Sequence, residues 1–164
     1  MLQNLQTISP VLALIVEGIL AFLSCIGFSI LFRLRSTVMI AASFGGVISW
    51  ISWRISIISG LSQMVAIFIA ALLLSLWAEI MARLHARPAT IYLIVALIPL
   101  VPGGGIYLTM KALIDGNPEQ FVSQGTHTLI TAGSLALGIL AVSSVARLIS
   151  RINYECKKKH ARRT

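Results

Sequence analysis

The sequence predicts an all-α, polytopic membrane protein with five transmembrane helices, the fourth broken by a Pro/Gly motif. Three observations carry that expectation. The 164 residues are 57% hydrophobic and only 11% charged, with a mean hydropathy of +0.92, a composition foreign to soluble domains. Five windows hold the roughly 20 apolar residues needed to cross about 30 Å of hydrocarbon. One of them contains Ile98-Pro99-Leu100-Val101-Pro102-Gly103-Gly104-Gly105, through which no uninterrupted helix can run. Each proline lacks an N–H and clashes with the carbonyl one turn back, and the glycines let the backbone leave helical geometry. The length suits one transmembrane domain, residues 1–150, followed by a basic cytoplasmic tail, 151–164.

The first span is expected over Val11 to Phe32. Met1 to Pro10 has no basic n-region, and the apolar run after it has spanning length, so it reads as a membrane helix and not as a signal peptide. Val38 to Ile58 forms the second span, with Arg54 inside it, and Leu61 to Met81 the third, joined by a tight turn at Ser59-Gly60. The fourth covers Ile91 to Ile114 and the fifth Leu129 to Leu148. Ala41 with Gly45, Ala42 with Gly46, and Ser134 with Gly138 are small-xxx-small pairs that permit close helix approach in lipid.

Basic residues set the orientation. With five spans, Arg33 and Arg35, then Arg83 and Arg87, then everything from Arg147 onward fall on one face; of the thirteen Lys and Arg only Arg54 and Lys111 do not. The positive-inside rule places that face, and the C-terminus, in the cytoplasm of a cell that carries this chain in its plasma membrane, with the N-terminus outside. The net charge of +8 follows from the same residues. The run Lys157-Lys158-Lys159-His160-Ala161-Arg162-Arg163 is expected to lie against anionic membrane lipid, and no nucleic-acid partner is implied. Trp50 and Trp53 suit the outer interface belt and Trp77 the inner one.

Charges inside the spans carry more information, because each costs at least about 2.5–3.5 kcal/mol at a helix centre. Glu17, Arg54 and Lys111 fall in one layer of the outer leaflet and are placed to form a cluster, Arg54 and Lys111 attracting a carboxylate while Glu17 pairs with them or exchanges a proton. The competing explanation is snorkelling, in which long cationic side chains near span ends merely reach the interface. Glu79, one turn before Arg83, reads as half of a helical ion pair. Cys25 and Cys156 are too far apart for a disulfide and read as small apolar residues. His85, His127 and His160 have no ligand-spaced companions, so no metal site is expected. No nucleophile–base pair, nucleotide loop or cofactor motif is present either. Gly103-Gly104-Gly105 lacks the Lys-Ser/Thr of a phosphate loop, and the chain is not expected to be an enzyme or to bind a cofactor.

The broken fourth span is the strongest functional pointer. In hydrocarbon, freed backbone groups must be satisfied by protein or a wet cavity, and transporters place substrate and ion sites at such breaks. A kink used only for packing is the alternative.

Ile98-Pro99-Leu100-Val101-Pro102-Gly103 followed by Tyr107, the preceding stretch Arg83-Leu84-His85-Ala86-Arg87-Pro88, and Arg54 after the glycine-containing second span together resemble the C-terminal half of the threonine/serine exporter family, over roughly Val38 to Leu148. The resemblance implies a subunit of a proton-motive-force-driven exporter of small polar carboxylates, threonine and serine or a dicarboxylate such as succinate. It also implies a second membrane subunit resembling the family's N-terminal half. Three consecutive glycines and the strongly basic tail are departures from the pattern. The residues expected to bind the small-molecule substrate are Arg54, Pro99, Pro102, Gly103, Gly104, Gly105 and Tyr107, with Glu17 coupling to protons. An odd number of spans supports a partner independently, since a tandem of odd-numbered units generates inverted repeats with substrate at their interface. The other function class is a non-transporting scaffold or assembly subunit.

Overall fold

A computed structural model describes residues 10–161, with side chains for 11–149 and 152. Six α-helices follow in order: α1 (Pro10–Leu31), α2 (Ser36–Ile58), α3 (Gln63–Leu84), α4 (Ala89–Leu97), α5 (Gly103–Ile114) and α6 (Pro118–Ala161), with one 3₁₀ turn, Ile98–Leu100, between α4 and α5. At 1.5 Å per residue, α1, α2 and α3 are each about 33 Å long, the thickness of a bilayer core. α4 and α5 together make the fourth span, bent by 54° at the break. The protein is thus an all-helical membrane protein whose spans lie where hydropathy placed them.

Helix ends explain the punctuation. Asn117 caps α6 by accepting the Gln120 N–H on Oδ1 at 3.1 Å, and Pro118 and Glu119 occupy the first turn, where a missing N–H and a negative charge are both favoured. Gly60 and Gly116 end α2 and α5 in the left-handed region, letting Leu61 N–H reach Ser56 O and Asn117 N–H reach Ala112 O.

One boundary differs from the sequence expectation. The fifth helix begins at Pro118, well before Leu129, because Thr128, Thr131 and Ser134 donate their hydroxyl protons to the carbonyl one turn back and do not interrupt it. The helix also continues past residue 150 to Ala161, so the backbone of the expected tail prolongs α6. The side chains of Cys156, His160 and the polybasic run lie outside the described residues.

α2 packs on α1, α3 and α4, α3 also contacts α4 and α6, and α5 rests chiefly on α6. The seams are built from small side chains. Ala42, Ala66, Ala70, Ala71, Ala78 and Ala96 are fully buried, whereas Leu23, Leu76 and Leu137 face outward. This inversion of soluble packing is expected where lipid is as apolar as leucine and close backbone approach drives association. A Cβ on Gly138 would sit 2.6 Å from Ala71 Cβ and 2.9 Å from Phe68 O, and one on Gly45 would sit 2.8 Å from Trp77 Cδ1. Trp77 is therefore not an interface anchor: its ring fills the notch at Gly45 and its N–H donates to Ala41 O at 2.8 Å.

Candidate functional site

Pro99 enters the bundle near its middle. A Cβ on Gly46, halfway along α2, would lie 3.6 Å from Pro99 Cγ. Because Pro99 has no N–H, the carbonyl of Val95 loses its i+4 donor and accepts the Ile98 N–H in its place, and the Cys25 thiol also donates to it at 3.5 Å. The neighbouring Ala96 carbonyl accepts the Ser49 hydroxyl at 3.3 Å. Pro102 likewise orphans the Ile98 carbonyl, which accepts Val101 N–H at 3.4 Å. The break is thus closed by side chains of α1 and α2, and Cys25 acts as a donor to the kink and not only as an apolar filler.

Beyond the kink the backbone opens into a cavity of about 230 Å³, walled by Pro99, Leu100, Val101 and Pro102, by Trp50 and Trp53 of α2, by Gln63 and Ile67 of α3, and by Thr131 of α6. This is slightly below the usual range for drug-sized ligands and suits a small solute. The Trp53 Nε1 is buried without a hydrogen-bond partner. Pro102 ends the wall and starts α5, whose N-terminus has no side-chain cap.

The charged pair stands beside this wall. Arg54 Nε lies 3.1 Å from Glu17 Oε2, with the two side chains 21% and 12% exposed, and Trp50 Nε1 donates to the same oxygen at 3.3 Å. One face of Trp50 therefore touches the cavity while its N–H holds the ion pair. Gly18 of α1 lies against Ile51 and Val47 of α2 where the two helices pack.

The structure brings Pro99, Pro102, Arg54 and Glu17 to one region and leaves others aside. Lys111 is exposed on α5 and does not join the Glu17–Arg54 pair, which is the only acid–base contact within 4.0 Å among the described residues. Glu79 and Arg83, expected as a helical ion pair, do not come within that distance. Both instead line a separate, apolar groove of about 390 Å³ between α3 and α6. Tyr107 is 67% exposed, pointing away from the cavity wall. Gly103 and Gly104 face open space, while Gly105 packs on Thr128 of α6. Trp50, Trp53, Gln63 and Thr131 were not expected in a site. The tryptophans have the sequence signature of interface anchors, and only the kink of the fourth span turns that end of α2 into a cavity wall.

A family model described as "Threonine/Serine exporter, ThrE" matches residues 17–145. The chain belongs to the threonine/serine exporter family. The match begins at Glu17 and covers the ion pair, the break and most of α6, so it takes in every residue of the cavity wall. No curated protein and no solved structure matches the chain. Membership establishes a multi-pass membrane protein of exporter type acting on a small-molecule substrate.

Proposed function

We propose that this chain is one half of a secondary exporter for small polar carboxylates, with threonine and serine as the first substrates to test and a dicarboxylate such as succinate as the second. The observation that carries this reading is the cavity at the break: a kinked span and two indole rings meet there, with a partly buried ion pair beside them. The N-terminus of α5 has no side-chain cap; with the Gly103 N–H held by the Val101 carbonyl, Gly104 and Gly105 are the residues whose backbone N–H groups, with the positive end of the helix dipole, are offered to a carboxylate at the cavity mouth. Glu17, held by Arg54 and Trp50, is the group placed to exchange a proton as the pair opens. Export draws on the proton-motive force. The chain sits in the plasma membrane with Arg33, Arg83 and Arg87 on the cytoplasmic side, and a second membrane subunit completes the inverted repeat.

The test replaces both prolines. Pro99→Ala/Pro102→Ala restores the missing N–H groups and favours a continuous helix by about 3 kcal/mol per site. Export of labelled serine, threonine and succinate is measured from cells carrying the chain with its partner subunit, beside abundance and co-purification. Loss of export in normal amounts of complex is expected. Normal export from normal amounts of complex would sink the assignment of the break as the site, and a fall in assembly before any transport defect would favour a packing role.

A further inference from the structure

Between the break and the face carrying Arg33, Arg83 and Arg87, the interior holds two polar atoms that nothing satisfies. Ser29 on α1 and Tyr92 on α4 are both completely buried, and the hydroxyls Ser29 Oγ and Tyr92 Oη have no hydrogen-bond partner. Helix register puts them at one level. The Cys25 thiol meets the Val95 carbonyl; Ser29 is one turn further along α1, and Tyr92 three residues back along α4. The two helices run in opposite directions, so both steps lead toward the same end of the bundle. Tyr92 belongs to the buried cluster of Val38, Ala42, Ala78 and Ala82. Its ring is stacked 5.9 Å from that of His85 at 19°, and His85 is exposed at the bundle end.

A buried hydroxyl left unpaired costs a factor of about ten in the equilibrium that buries it, and interiors rarely keep one dry without a reason. Here two share a layer that separates the cavity from the basic face. Closing the layer leaves both unpaired, while opening it hydrates both and so offsets part of the cost of exposing the apolar cluster around them. We propose that Ser29 and Tyr92 form a second polar binding layer on the cytoplasmic side of the break, which takes up a hydrogen-bonding oxygen, from water or from the transported solute, when that half of the bundle opens. The solute arm rests on the transport function proposed above. The opening does not.

Cys25 lies immediately behind the layer and is fully buried, so it reports the opening. With Cys156→Ser it is the chain's single thiol. Full-length protein with its partner, in inside-out membrane vesicles, is treated with N-ethylmaleimide. Cys25 is expected to react far faster than the protein unfolds. Tyr92→Phe, which keeps the ring and its packing, is expected to slow the reaction about tenfold and to raise the thermal midpoint in detergent, and Ser29→Ala to act in the same direction. Protection of Cys25 by saturating serine or threonine identifies the solute as the occupant, and its absence identifies water. A Cys25 reaction no faster than unfolding, an unchanged rate in Tyr92→Phe, or a lowered midpoint in that variant overturns the proposal. Vesicles that show the Tyr92-dependent reaction but no export in any substrate arm refute the transport reading and leave the layer standing.

Discussion

Removing one partner of the Glu17–Arg54 pair tests whether the charges hold the fold, serve transport, or both. At 12% and 21% exposure the pair lies between the surface case, worth roughly 0–1 kcal/mol, and the buried case, where deleting one partner costs about 3–5 kcal/mol. Glu17→Gln leaves the Arg54 guanidinium facing an amide inside a span, at a cost of about 2–3 kcal/mol, eased because Arg54 is one turn from the C-terminal end of α2. Arg54→Gln costs less, since Glu17 keeps the Trp50 N–H. Abundance and detergent thermal stability are therefore expected to fall more in Glu17→Gln than in Arg54→Gln, and to recover in the double variant, where no lone charge remains. Export is expected to stay absent in all three. Arg54→Lys keeps partial export, a point charge replacing a planar fork. Unaltered stability in Glu17→Gln would refute the reasoning about burial, and wild-type export in the double variant would reduce the pair to a structural clasp.

Two further outcomes check the fold and the orientation. Gly138→Val forces a branched side chain against Ala71 and the Phe68 carbonyl, costing about 1–3 kcal/mol or more in overpacking; detergent thermal melts should show the loss, and a neutral result would mean that α3 and α6 are further apart than described. A reporter active only in the cytoplasm is expected to work when fused after Thr164 and to fail at Gly116, and activity at both positions would refute the five-span topology.

The spans were legible because a membrane reduces the folding code to apolar length, and a proline–glycine cluster in such a run has few interpretations. The start of helix α6 was placed too late, since Gln124, His127 and Thr128 lower local hydropathy without interrupting a helix whose hydroxyls bond internally. The cavity was half legible. Pro99 and Pro102 announce a kink, but the direction of the kink depends on contacts such as Gly46 with Cys25 and Ser49 with Ala96 O, which join residues far apart in the chain. That direction decides that Trp50 and Trp53 face the break and that Tyr107 does not. Lys111 shares a computed depth with Arg54, yet depth along a helix axis says nothing about the azimuth, and its helix rests on α6, away from Glu17.

Polarity inside the bundle is distributed unevenly, and the pattern bears on what the broken span does. Ser43, Ser52, Ser56, Thr109 and Thr131 each close onto the carbonyl one turn back, so these hydroxyls of α2, α5 and α6 are spent within their own helices, while Ser49 also reaches across to the Ala96 carbonyl of α4. Among the described residues, three buried donors have no partner: Trp53 Nε1, Ser29 Oγ and Tyr92 Oη. None lies in the α3–α6 seam. Trp53 walls the cavity on one side of Pro99, toward the C-terminal end of α2, and Tyr92 and Ser29 stand on the other, where α1 meets α4. A kink needed only for packing would be sealed by the donors that satisfy its freed carbonyls, Cys25 and Ser49, and would require no unpaired groups on either side. Unpaired donors above and below one kink are what a path through α4 requires, because a solute crossing apolar surroundings must exchange its hydration for protein hydrogen bonds in successive steps.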